Sequence, residues 1–144
     1  MSGSPCRLDP CPSDAGWWRA WIDAHQGTEP LQIDRAHLLI LNHNGQALLE
    51  ECLPSIVEAA RRSRIVCRVS VVDNESTDNS REWLASVWPS IRLILTRNDG
   101  LASFNQVLRQ LEESAVLLLN NDVKLAPDAI APLLDALSSH DDAL

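Results

Sequence analysis

The alternation of apolar and polar residues changes character at about residue 37. From there four short apolar runs follow one another, "HLLIL" (37–41), "IVCRVSVVD" (65–73), "IRLIL" (91–95) and "AVLLL" (115–119). Between and after them lie segments with helical spacing at about 48–61, 79–87, 102–113 and 127–138. Short apolar runs bounded by turn formers predict buried strands, and the amphipathic segments predict helices. Pro127 suits the first turn of the last helix, where its missing N–H costs nothing. Strands alternating with helices predict βαβ units, and so an α/β domain with a mostly parallel sheet and helices on both faces. Right-handed crossovers put the C-terminal ends of the strands along one edge. Ligands of such sheets bind at that edge.

The preceding residues read differently. Residues 1–12 are rich in Pro, Ser and Cys and form a tail without periodicity. Ser13 can cap a short helix that runs to about His25, with Gly27 as its stop. Trp17 and Trp21 stand four apart on one face of that helix, which predicts packing onto the neighbouring domain or, as the alternative, a patch for a protein partner. Residues 27–36 read as a linker. The expected division is 1–36 for tail, helix and linker, and 37–144 for the α/β domain.

All four predicted strands end in polar residues: Asn42, His43 and Asn44; Asp73 through Asp78; Thr96 through Gly100; Asn120, Asn121 and Asp122. Singly, each is explained by turn chemistry, because Asn and Asp favour turn conformations. Together they predict a cleft edge of carboxylates and amides plus Arg97, suited to a sugar, a ribose or a hydrated cation.

Composition removes several alternatives. The 144 residues are 45% hydrophobic and 22% charged, ordinary for a globular domain. A formal charge of -8 with a single lysine, Lys124, argues against a nucleic-acid footprint. An anionic ligand must then be held by Arg, by backbone N–H groups or by a bound cation. The longest apolar stretches, 38–41 and 115–119, fall far short of the about 20 residues needed to span a bilayer, and the N-terminus has no secretory pattern. The expectation is no transmembrane segment and a cytoplasmic location. Cysteines 6, 11, 52 and 67 lack zinc spacing and read as reduced thiols, with Cys52 and Cys67 in the core. Lys124 follows no glycine, and Gly45 and Gly100 are the only glycines after residue 27, so neither a P-loop nor a GxGxxG loop is present. No GxSxG elbow occurs either. Asp122, a carboxylate at a strand end, is the candidate ligand for Mg2+ or Mn2+, with ligand phosphates filling other positions. The alternative is that Asn-Asn-Asp is a turn.

Three ordered motifs carry a resemblance. "VVDNESTDNS" (71–80), "RNDGLASFNQ" (97–106) and "LLLNNDVKLAPDAI" (117–130), with the opening "LLILNHNGQALLEECLPSI", resemble the family 2 glycosyltransferases of the GT-A fold, especially their rhamnosyltransferase-like branch. The resemblance covers about residues 37–138. It implies a Rossmann-like nucleotide-diphospho-sugar transferase fold in which Asp73 lies by the nucleotide base. Asn98, Gly100 and Asn105 then shape the wall of the nucleotide-sugar pocket. Asn120, Asn121 and Asp122 correspond to the DxD-type motif that holds the ribose and the metal-bound diphosphate; Asn120 replaces the first Asp, leaving Asp122 as the metal ligand. Asn44 matches the Asn of the opening "YN", with His43 where Tyr is usual, and Gln106 stands where many members have a smaller or apolar residue.

The implied reaction transfers a sugar from a nucleotide-diphosphate donor to a hydroxyl of a glycan, lipid or other acceptor, with inversion and a divalent cation, Mg2+ or Mn2+. The resemblance places the catalytic base in a later segment, whereas this sequence stops at "SSHDDAL", where Asp141 and Asp142 read as solvated tail. The expectation is therefore a nucleotide-sugar-binding half, truncated relative to the family and cytoplasmic or peripheral at the inner face of a membrane. Two alternatives stand beside it: a non-catalytic nucleotide-sugar-binding module, and a degenerate domain acting as an interaction surface through the Trp17/Trp21 helix.

Overall fold

The computed structural model describes residues 32–139. The expected Trp17/Trp21 helix and the terminal Asp141 and Asp142 lie outside the described residues. Four strands, β1 (Arg35–Asn42), β2 (Val66–Asn74), β3 (Arg92–Thr96) and β4 (Ala115–Asn120), form one sheet in the order β3-β2-β1-β4. Every pairing is parallel. Four helices connect or follow them: α1 (Gln46–Arg62), α2 (Ser80–Val87), α3 (Ser103–Leu108) and α4 (Ile130–Ser139), with a 3-10 turn over Gly100–Ala102.

Side-chain alternation along the strands builds two cores. Leu38 and Ile40 of β1, Val71 of β2 and Leu119 of β4 pack with Leu49, Leu53 and Ile56 of α1, Leu84 of α2 and Ile130 of α4. Leu39 and Val72 point to the other face, where Phe104 and Val107 of α3 cover them. Each fully buried Leu or Ile contributes about 1.5–3 kcal/mol. Helices therefore lie on both faces, three on one and the short α3 on the other. This split follows from right-handed connections, since β1 to β2 to β3 advances in one direction and the link from β3 to β4 returns across the sheet.

Four expectations shift. Strand β1 begins at Arg35, inside the segment read as linker. Helix α3 ends at Leu108 rather than 113, because Gln110 and Leu111 bond three residues back, to Val107 and Leu108, and close the helix. The freed chain carries Glu113 to His37 (3.4 Å) and Arg68 (3.3 Å). Helix α4 starts at Ile130, and Pro127 occupies a turn closed by the Ala129 N–H on the Ala126 carbonyl. Proline belongs in the second position of such a turn as readily as in a helix start. Cys52 is buried as expected, whereas Cys67 is half-buried; both are free thiols. Among the described residues no helix is long and apolar enough to cross a membrane.

The strand order puts the topological switch point between β1 and β4, because the chain steps outward from β1 to β2 on one side and reaches β4 on the other. Ligands bind open α/β sheets beyond the carboxyl ends of the strands at this point. Asn42, His43 and Asn44 end one strand there, and Asn120, Asn121 and Asp122 the other.

Candidate functional site

The register of β1 on β2 sets Asn42 beside Asp73, and that of β1 on β4 sets Leu41 beside Asn120. Asn42 is wholly buried and bridges both neighbours. Its Nδ2 donates to Asp73 Oδ2 (3.3 Å) and Ser76 Oγ (3.2 Å), and its Oδ1 accepts from Asn121 Nδ2 (2.9 Å). Asp73 is 0% exposed. Its Oδ1 accepts from the Ser76 N–H (3.0 Å) and from Arg81 Nε (2.6 Å), which arrives from the first turn of α2.

Burial pushes the Asp73 carboxyl up, but the bonds from Ser76, Arg81 and Asn42 outweigh it and hold the group below the ordinary carboxylate range. A folded-state pKa below the unfolded one means stability that is present above about pH 4 and lost as pH falls through the lowered value. Replacing Arg81 by Met should therefore cost about 1–2 kcal/mol at neutral pH, less than a fully buried pair because the Arg81 side chain is 35% exposed. Acid denaturation followed by circular dichroism should then begin at higher pH than in the wild type. An unchanged acid limb would show that Asp73 is not held ionised by Arg81.

The loop after β2 is clamped by Asn44, whose backbone takes the left-handed conformation (φ 48°). Asn tolerates that conformation better than most residues. Asn44 Oδ1 accepts from the N–H groups of Thr77 (2.6 Å) and Asp78 (3.3 Å), and its own N–H donates to Ser76 Oγ (3.0 Å). Asp78 satisfies the first free amides of two helices, those of Gln46 (3.1 Å) and Ser80 (3.1 Å). Glu75, also left-handed (φ 57°), accepts from the Asn98 N–H (3.2 Å).

Buried Asn74 ties β2 to the loop after β3. It donates to Asn98 Oδ1 (3.0 Å) and to the Gly100 carbonyl (3.3 Å), and accepts from Ser103 Oγ (2.5 Å). Gly100 supplies a left-handed turn (φ 60°) in open space. His43 donates from Nδ1 to the Asn74 carbonyl (2.7 Å).

Of the residues singled out from sequence, Asp73, Asn44 and Asn121 are joined through Asn42 and Ser76, and Asn98 and Gly100 through Asn74. Asn105, Asn120 and Asp122 are exposed, and among the described residues their side chains have no polar partner. The segment beyond Asp122 is pinned to α1 by Lys124 on Glu51 (2.6 Å) and by the Leu125 N–H on Ser55 Oγ (3.1 Å). Sequence reasoning placed Asn42 and Asn74 on the polar cleft edge but gave them no role, and it did not select Gly45 or Arg81. The available signal for Asn42 and Asn74 was their place as polar residues closing strands whose interior is apolar.

No three His, Cys, Asp or Glu side chains gather into a metal site among the described residues. A hard divalent cation bound with a diphosphate needs only one or two protein carboxylates, the phosphates and water completing its shell. Exposed, unpartnered Asp122 fits a cation of that kind and does not fit a metal centre made by protein alone.

The family model described as glycosyl transferase family 2 matches residues 38–144, and the chain belongs to that family. Its fold is the GT-A-like α/β fold. A mannosyltransferase from Pyrobaculum calidifontis, solved with GDP-Man and Mn2+, is similar at a TM-score of 0.55 and 28% identity over 78% of this chain. TarS from S. aureus is similar in fold at a TM-score of 0.53 and 22% identity over 71% of this chain, and its complex with UDP-GlcNAc gives 0.53 and 20%. The chain spans 36% of the mannosyltransferase and 31% of TarS. No curated protein sequence matches it.

Proposed function

We propose that this chain forms the donor-binding part of an inverting glycosyltransferase that takes a sugar from a nucleoside diphosphate and passes it to an acceptor hydroxyl on a glycan or lipid. The observation that carries the reading is the switch point, where Asn42 bonds Asn121 while the exposed Asp122 beside it has no side-chain partner among the described residues. Asp122 would hold a divalent cation, Mg2+ or Mn2+, which when bound supplies Lewis-acid stabilisation of the charge on the leaving diphosphate. The mannosyltransferase neighbour, which binds GDP-Man with Mn2+, supports both the donor class and the cation.

The chain's own residues orient the donor. Asn120 and Asn121 meet the ribose, and Asn98, Gly100 and Asn105 wall the pocket. Asp73, being wholly buried, acts from inside by holding the loop against which the base lies. Asn44 clamps the same loop from the other side. Deprotonation of the acceptor hydroxyl calls for an Asp or Glu within hydrogen-bond reach.

Calorimetric titration of the purified chain with UDP, dTDP and GDP, in Mn2+ and in chelator, tests the reading. The expected result is binding of at least one nucleotide that is lost in chelator. A folded chain that binds none of the three in either condition overturns it. Turnover of the matching nucleotide sugar separates a transferase from a non-catalytic binding module.

A further inference from the structure

Four side chains in the site form a hydrogen-bond chain whose direction is set from one end. Arg81 can only donate and ionised Asp73 can only accept. Asp73 Oδ2 therefore requires a donor from Asn42, and the Asn42 amide must turn Nδ2 toward Asp73 and Ser76. Its Oδ1 is then left facing β4, and Asn121 must answer with Nδ2 (2.9 Å). Each amide in the chain has one allowed orientation. The orientation propagates from a half-buried ion pair between β2 and α2 to a half-buried amide beyond β4, across the central strand.

Space keeps the two amides together. A Cβ on Gly45 would lie 2.0 Å from Asn121 Nδ2 and 2.8 Å from Asn42 Oδ1, so the backbone at the start of α1 closes directly over this pair. Asn121 Oδ1 has no polar partner among the described residues. With its Nδ2 committed, Asn121 offers a carbonyl oxygen to a ligand, and such an oxygen accepts from a hydroxyl and repels a phosphate oxygen.

We propose that Asn42 is a positioning residue that fixes the Asn121 amide so that its Oδ1 receives a hydroxyl of the nucleotide sugar, leaving the phosphates to Asp122 and its cation. The proposal rests on the donor-site reading above.

Two measurements test it, the first without ligand. Asn121→Asp is nearly isosteric and favours the same turn conformations as Asn, but it offers only acceptors to Asn42 Oδ1. Thermal melts at neutral pH should rank wild type above Asn121→Ala and Asn121→Ala above Asn121→Asp, with the Asp variant about 4 °C or more below wild type. Asn121→Asp melting with or above Asn121→Ala would mean that residue 121 serves only as a turn, and would overturn the proposal.

The second measurement is calorimetric titration with UDP-, dTDP- and GDP-sugars in Mn2+. Asn42→Ser is too short to reach Asn121, while Asp73 keeps its bonds from the Ser76 N–H and Arg81. This variant and Asn121→Ala should each weaken sugar-nucleotide binding about tenfold, and the double variant should be no weaker than either single one. Additive losses, or unchanged affinity in both single variants, would overturn the positioning role while the donor site stands. If Asn42→Ser does not fold, Asn121→Ala and Asn121→Asp, altered at a half-buried position, carry the test alone. A wild type that binds no sugar nucleotide overturns the donor-site reading itself and the positioning role with it, an outcome distinct from binding that ignores the variants.

Discussion

Replacing Asp122 by alanine is expected to abolish Mn2+-dependent nucleotide binding, a loss of about 100-fold or more, since even residues that merely support metal ligands cost 10–100-fold. The free chain should melt within about 1–2 °C of wild type, because an exposed side chain without a partner contributes within about 0.5 kcal/mol. The separation of the two readouts is the informative part. Asp73, the other carboxylate assigned to the nucleotide-sugar site, is buried in its own hydrogen bonds, so its removal damages fold and binding together. Asp122 has no such structural task among the described residues. Unchanged nucleotide affinity in the Asp122→Ala chain would remove it from the site, and a collapsed melting curve would assign it a structural role instead.

The second large effect is expected at Gly45. Its φ of -122° is open to any residue, so conformational freedom is not the reason for glycine here. Space is the reason: an added Cβ would meet Asn121 Nδ2 at 2.0 Å and Asn42 Oδ1 at 2.8 Å. Asn121 can swing away at the cost of its bond to Asn42, but Asn42 is wholly buried and has nowhere to go. Overpacking of this kind costs about 1–3 kcal/mol, more than the about 0.4–1 kcal/mol that a Gly-to-Ala change returns through the unfolded chain. Gly45→Ala should therefore lower stability in urea unfolding and weaken nucleotide binding. Adding Asn121→Ala should recover part of the stability, because the nearer clash disappears. Purely additive destabilisation in the double variant would show that the two residues do not meet as described.

Strand positions were legible to within two residues because a buried parallel strand is a short apolar run with turn formers at its ends, and nothing else in the chain imitates it. The four polar strand ends read from the sequence do lie along one edge, because every strand pairing is parallel. Less legible was the division of labour along that edge. Asn44 and Asp73 look in the sequence like groups available to a ligand, yet both are consumed by the loop after β2. Asn42 looks like the first residue of a turn, yet it joins three strand ends. Those partnerships span 31 residues to Asp73 and 79 to Asn121, and they exist only once the lateral order β3-β2-β1-β4 is known. Helix α3 illustrates the same limit. Its apolar spacing continues toward residue 113, but the pull of His37 and Arg68 on Glu113 is a contact between elements that no local pattern records.

The lateral order also grades the protein's resistance to local opening. β1 is paired on both sides along most of its length, from Arg35 to Asn42 against β2 and from Ala36 to Leu41 against β4. β4 is paired on one side only among the described residues, and Leu118 is 44% exposed. Amide hydrogen exchange should accordingly be slowest in β1 and β2 and faster in β4, since edge segments with fewer buried contacts open at lower free energy. The two halves of the switch point therefore sit on ground of different firmness. Asn42 and Asp73 rest on strands that yield only with the whole domain, whereas Asp122 is carried by a strand that can loosen alone. A ligand gripping both halves would slow exchange in β4 far more than in β1, coupling occupancy of the site to the rigidity of the sheet's outer edge.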